Sequence, residues 1–144
     1  MITASIPLKV GRILLVDDEI QLTQLWRMVL EVTGRYTVRE ENRGSSVMDT
    51  VRKFRPDLIF LDRDLAGTDG GEIAGALRAD DELRDIPIVF ITGSVTSQEA
   101  QLHGIFGGTP TLAKPFGTDV LTRLADSILR RHRRNESVPQ GELA

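Results

Sequence analysis

Arg12-Ile13-Leu14-Leu15-Val16, closed at once by Asp17-Asp18-Glu19, is a short apolar run that ends in acids. It is too short for a buried helix and lacks the polar alternation of a half-exposed strand. It is therefore expected to be a strand buried on both faces, as in a parallel sheet covered by helices. The acids then fall at the carboxyl end of that strand, where open α/β sheets bind their ligands.

The rest of the chain repeats this pattern. Glu19 to Val32 places Leu22, Leu25, Trp26, Val29 and Leu30 at helical spacing, with Gly34 as the stop. Tyr36 to Glu40 alternates as a half-buried strand. Ser45 to Phe54 is helical through Val47, Met48, Val51 and Phe54, and Pro56 ends it. Asp57 to Leu61 is the next apolar strand. Gly71 to Leu83 is a helix facing inward through Ile73, Ala74 and Leu77, and Ile86 to Ile91 is the fourth strand. Gln98 to Phe106 is expected as a weaker helix with a Gly-rich end, Thr109 to Ala113 as the fifth strand, and Asp119 to about Arg131 as the last helix. Five strands alternating with five helices imply right-handed βαβ units and an α/β doubly wound parallel sheet.

Composition fits this class. The chain has 144 residues, about 40% of them hydrophobic, which suits one domain with a real core. The net charge of −3 does not suggest a nucleic-acid surface. The absence of cysteine excludes disulfides, thiol catalysis and cysteine metal sites. Ile13-Leu14-Leu15-Val16 is too short for a signal peptide, and no stretch approaches the ~20 apolar residues that span a bilayer. A cytoplasmic protein is expected. Residues 1–8 read as an N-terminal tail, 9–134 as the domain, and 135–144 as a disordered C-terminal tail.

Asp17 and Asp18 follow the first strand, Asp62 the third, Thr92 the fourth and Lys114 the fifth. A parallel sheet brings all five to one rim. Three gathered carboxylates repel one another, and a hard divalent cation removes that repulsion. Oxygen-only ligands favour Mg²⁺ over zinc. A lysine and a hydroxyl beside them suit a phosphoryl group, with one carboxylate as nucleophile.

Val16-Asp17-Asp18-Glu19, Leu61-Asp62 with Asp69-Gly70 downstream, Thr92-Gly93, and Lys114-Pro115-Phe116 together resemble the response regulator receiver family, over roughly residues 10–132. The resemblance implies a flavodoxin-like (βα)5 fold of order 2-1-3-4-5 and a single-domain response regulator of a two-component phosphorelay. It implies Asp62 as phosphoacceptor, with Asp18, Asp17, Asp62 and the backbone carbonyl of Asp64 around Mg²⁺. Lys114 and Thr92 would bind the phosphoryl group, and Gly93 would leave room for the donor. Asp64 and Ser94 would border the path of hydrolytic water and so tune dephosphorylation. The implied partners are a histidine kinase or histidine phosphotransfer protein, a downstream protein, and a second copy in a homodimer. Nucleic acid and membrane are not expected as partners. Little chain follows the last helix, so output is expected to be a protein contact of the domain itself. The protein is expected to be a switch rather than an enzyme, catalysing only its own Mg²⁺-dependent phosphorylation and dephosphorylation.

Two departures stand out. Leu65-Ala66 replace the Met-Pro often found after the acceptor, and Thr111 replaces the usual aromatic switch residue. Without that ring, the segment from Gly93 to Gly108 is expected to order on phosphorylation. Thr111 also keeps open a phosphorylation-independent scaffold. A second resemblance, of Ile59-Phe60-Leu61-Asp62-Arg63-Asp64 to haloacid-dehalogenase-type phosphatases, is weakened because Leu65-Ala66 stand where Gly-Thr should follow. Simpler roles exist as well. Asp17-Asp18-Glu19 suit a helix N-terminus. Trp26 reads as core, His103 and His132 as surface residues, and Arg130-Arg131-His132-Arg133-Arg134 as a solvated helix end.

Overall fold

The computed structural model describes residues 11–93, 105–106 and 109–137. In chain order these form β1 (Gly11–Val16), α1 (Ile20–Glu31), β2 (Tyr36–Glu41), a 3-10 turn (Gly44–Ser46), α2 (Val47–Phe54), β3 (Leu58–Asp62), β4 (Asp64–Leu65), β5 (Thr68–Asp69), α3 (Gly70–Arg78), β6 (Ile88–Thr92), β7 (Ile105–Phe106), β8 (Thr109–Ala113) and α4 (Thr118–Ser137). The main sheet runs β2-β1-β3-β6-β8-β7. Its first five strands pair in parallel, which is the expected order 2-1-3-4-5.

Successive side chains of the central strands enter opposite cores, because a strand alternates its faces. Ile13, Leu15, Phe60, Val89 and Ile91 meet Trp26 and Leu30 of α1 and Leu121, Ala125 and Leu129 of α4. On the other face Leu14, Val16, Ile59, Leu61 and Phe90 meet Val47 and Val51 of α2 and Ile73 and Leu77 of α3. Each fully buried side chain of this size contributes about 1.5–3 kcal/mol, and together they hold the strand ends in one rim.

Several expectations need correction. Ile105 and Phe106 form a strand antiparallel to β8, pairing with Pro110 and Thr109, and not the end of a helix. The remainder of the expected 98–106 helix, Ser94, His103 and most of the 93–108 segment lie outside the described residues, as does the expected tail at 1–8. The helix beginning near Gly71 stops at Arg78 rather than Leu83. There the Asp80 side chain accepts the Glu82 N–H at 2.9 Å, and such local bonding competes with helix continuation. Leu83 is still buried, reached through a turn. In α1 Leu25 points outward at 46% exposure, while Thr23, Trp26 and Leu30 are buried. The last helix continues to Ser137, past the expected end near Arg131 and three residues into the expected tail.

Other expectations match. Trp26 is core, and Gly34, past the end of α1, takes the positive φ of 76° that glycine tolerates. No described helix is long and apolar enough to cross a membrane.

Candidate functional site

β3 and β6 each run one residue further than their apolar runs, so Asp62 and Thr92 are the last residues of their strands. Their pairing follows the register Asp62↔Ile91, with Arg63 N–H donating to the Ile91 carbonyl at 2.9 Å. Asp17 extends β1 by one more ladder bond, its N–H reaching the Glu41 carbonyl at 3.3 Å. The carboxylates of Asp17, Asp18 and Asp62 consequently converge. One oxygen of each lies within 4.8 Å of the others. Asp17 and Asp62 are buried and Asp18 is exposed, so the cluster opens to solvent on one side.

Lys114, just past β8, is placed by a bond from its N–H to the Thr92 carbonyl at 2.8 Å. Its Nζ donates to Asp17 Oδ2 at 2.7 Å and lies 3.8 Å from both Asp62 Oδ2 and Glu19 Oε1. It also lies 5.9 Å from the ring centroid of Trp26, which stacks on Phe116 at 5.4 Å. Burial works to lower the Lys114 pKa. The hydrogen bond to Asp17, with the charges of Asp17, Asp62 and Glu19, outweighs it and holds the ammonium above its usual range.

The Asp62 carboxyl is raised as well, up to about 6. Burial is the main cause, and the charges of Asp17 and Asp18 add to it. The Asp64 N–H and the Lys114 ammonium oppose the shift without cancelling it. One ammonium is thus insufficient for three clustered carboxylates. This donor set fits a hard divalent cation that prefers oxygen ligands.

A hairpin encloses one side of the cluster. Asp64–Leu65 pairs antiparallel with Thr68–Asp69. Asp64 N–H donates to Asp62 Oδ1 at 2.9 Å, and Ala66 N–H to Asp18 Oδ2 at 3.1 Å. Thr92 Oγ1 donates to Asp64 Oδ2 at 3.0 Å. Asp69 then caps α3 by accepting the Gly71 N–H at 2.8 Å.

Gly93 directly follows β6, and Thr111 lies in β8 opposite Phe90. No described atom lies within 4 Å of a Cβ built on Gly93. The Thr111 hydroxyl donates locally to the Thr109 carbonyl at 3.2 Å. Among the expected site residues only Ser94 lies outside the described residues.

Three contributors escaped the sequence reading. Asn42 Nδ2 donates to the Asp17 carbonyl at 2.7 Å and to Thr23 Oγ1 at 3.0 Å, fixing the turn that carries the acids. Glu19 adds a further negative charge to Lys114. Gly70 packs its Cα against the backbone of Asp62, where an added Cβ would meet the Asp62 carbonyl oxygen and come 2.7 Å from Arg63 Cα. The Asp69-Gly70 pair was a motif in the sequence, but its spacing does not reveal that contact.

A family model described as the response regulator receiver domain matches residues 13–126. The chain is 33% identical over 120 residues to the phosphate regulon transcriptional regulatory protein PhoB of Pseudomonas aeruginosa, covering 83% of this chain and 52% of that protein. It is 38% identical over 104 residues to the polar-differentiation response regulator DivK of Brucella anthropi, covering 72% of this chain and 84% of that one. It therefore spans about half the length of the PhoB relative and most of the DivK relative. The chemotaxis response regulator CheY4 of Vibrio cholerae superposes with a TM-score of 0.70 at 26% identity, covering 82% of this chain and 98% of that structure. The signal receiver domain of a LuxO repressor protein from Vibrio parahaemolyticus matches in fold, with a TM-score of 0.75 at 21% identity, over 88% and 95% of the two chains.

Proposed function

The chain belongs to the response regulator receiver family, and on that premise we propose that Asp62 accepts a phosphoryl group from a histidine kinase or histidine phosphotransfer protein. The observation that carries this reading is the convergence of Asp17, Asp18 and Asp62 beside Lys114 and Thr92 at one rim of the sheet. A phosphatase of the haloacid-dehalogenase type is not favoured. In such an enzyme Gly-Thr directly follows the second aspartate, whereas Leu65-Ala66 follow Asp64 here.

An Asp62 carboxylate oxygen attacks phosphorus, the bond from phosphorus to the donor imidazole nitrogen breaks, and that nitrogen keeps the electron pair. The products are an aspartyl phosphate and an unphosphorylated histidine. Asp17, Asp18 and Asp62, with the backbone carbonyl of Asp64, would hold Mg²⁺. When bound, it neutralises the carboxylates and offsets charge on the phosphoryl oxygens. Lys114 pairs with a phosphoryl oxygen through a charge-assisted bond, and Thr92 donates to another. The added anionic oxygens redirect these two groups, and that redirection is the signal.

The test is transfer of label from a phosphorylated histidine phosphotransfer protein. One acid-stable, base-labile label per chain is expected, and a chelator should prevent it. Asp18→Ala should weaken Mg²⁺ binding at least tenfold and slow labelling accordingly. Labelling that persists unchanged in chelator would overturn the metal assignment.

Trp26 supplies a second measurement, since it is the chain's single tryptophan and lies beside Lys114. Lys114 would give up Asp17 to a bound cation, and its ammonium would then move relative to the ring. Saturable change in Trp26 fluorescence with Mg²⁺ is expected, absent in Lys114→Met. A signal unaltered in that variant would show that the ring reports something else.

A further inference from the structure

Thr92 is buried at 2% exposure, and its hydroxyl donates to a carboxylate other than the acceptor's. The hydroxyl is the donor in that bond and the Asp64 oxygen the acceptor. A hydroxyl has one proton, so the proton given to Asp64 is not available to a phosphoryl oxygen on Asp62.

Asp64 is exposed, yet it is not free to follow Thr92. Its own N–H is bonded to Asp62 Oδ1, and its strand is paired with Thr68–Asp69. The same hairpin is tied to Asp18 through the Ala66 N–H. On its outer side Thr68 packs so closely on Gly44 that a Cβ there would come 2.8 Å from the Thr68 Cβ. The hairpin thus holds the Asp64 carboxylate at a set distance from β6.

We propose that Asp64 is a positioning residue that holds the Thr92 hydroxyl in the unphosphorylated protein and competes with the phosphoryl group for it, thereby setting the threshold of the switch. This rests on the reading of Asp62 as acceptor and Thr92 as phosphoryl ligand. Asp64 touches neither donor nor phosphoryl group through its carboxylate in this scheme. It acts through Thr92, by stabilising the resting arrangement that phosphorylation must undo. Its proposed metal contact is a backbone carbonyl, which side-chain substitution leaves in place.

The experiment is a double-mutant cycle on beryllofluoride affinity in the presence of Mg²⁺, using the full chain with Asp64→Ala, Thr92→Ala and both together. Loss of a hydrogen bond to a charged group at a partly exposed site should tighten beryllofluoride binding about threefold to tenfold in Asp64→Ala. Asp64→Asn, which keeps an acceptor but not the charge, should fall between. In the Thr92→Ala background the same change at Asp64 should have no effect, because there is no hydroxyl left to hold. The methyl resonance of Thr92, in protein free of metal and phosphoryl analogue, should shift in Asp64→Ala and less in Asp64→Asn.

An equal gain in both backgrounds would mean that Asp64 acts by direct charge repulsion of the anion, and would overturn the proposal while leaving the acceptor reading intact. An unshifted Thr92 methyl resonance would overturn it as well. Failure of the unmodified protein to bind beryllofluoride at all would remove the acceptor reading itself, and this inference with it.

Discussion

Asp62→Asn is expected to abolish labelling completely and, in metal-free buffer near pH 7.5, to make the protein more stable. The two effects have one origin. Asp62 is buried beside Asp17 and Asp18, and its pKa rises from 3.8 to about 6 on folding. A carboxyl with a higher pKa in the folded state binds its proton more tightly there than in the unfolded chain. Its contribution to stability is therefore best below the unfolded value, declines as pH rises from near 3.8 through about 6, and stays low above that. Removing the charge should recover on the order of 2 kcal/mol at pH 7.5 and nothing at pH 3.5. Mg²⁺ should erase the advantage, since the cation stabilises the parent protein and finds a poorer ligand in the variant. Denaturant melts of both proteins across this pH range, with and without Mg²⁺, check the expectation. A variant less stable than the parent at pH 7.5 without metal would contradict it, and residual label on the variant would mean that another carboxylate is the acceptor.

Gly70→Ala carries the second large effect. The new methyl would press on the Asp62 carbonyl and on Arg63 Cα, which are backbone atoms and cannot swing aside. Gly70 also donates its N–H to the Arg63 carbonyl at 3.0 Å, so the start of α3 cannot retreat without losing that bond. Overpacking of this kind costs about 2–3 kcal/mol, and for a chain of this size that lowers Tm by about 5–10 °C. Because the strain falls on the peptide of Asp62, the proposed acceptor, labelling should slow more than stability alone predicts. Gly75→Ala is the control, since among the described residues no atom outside its chain neighbours and its own helix backbone lies within 4 Å of its would-be Cβ. Gly70→Ala melting and labelling like Gly75→Ala would show that the contact is dispensable.

The alternation of strands and helices was readable because the central strands are buried on both faces and so appear as unbroken aliphatic runs. Once the sheet is parallel, the residues that end those runs must share a rim, and Asp17, Asp62, Thr92 and Lys114 could be placed together from spacing alone. What remained hidden falls below the length of any period. β4, β5 and β7 have two residues each, too few to alternate. For β7 the available signal is the Gly107-Gly108 pair in sequence between Phe106 and Thr109, since Gly-Gly between two short runs is a tight-hairpin sequence. Leu25 lies outside and Thr23 inside because angular position on α1, rather than hydrophobicity, decides which residues face the sheet. Thr23, inside, is satisfied by bonds to the Ile20 carbonyl and Asn42. The bond from Thr92 to Asp64 joins residues 28 apart through side chains on different strands, and no local pattern specifies it.

The pairing of Lys114 with Asp17 has a consequence for how far the phosphoryl charge can be felt. Three clustered carboxylates and one ammonium leave the resting rim with two net negative charges. A divalent cation brings that sum to zero. Phosphorylation of Asp62 would then replace its single charge by the two of an acyl phosphate, so the loaded rim would differ from the metal-bound one by a single negative charge. Seen from outside, beyond a screening length of about 8 Å, that is a faint signal against a chain already at −3. Partners that tell the two states apart must therefore touch the domain and sense its altered contour, because its electrostatic field scarcely changes.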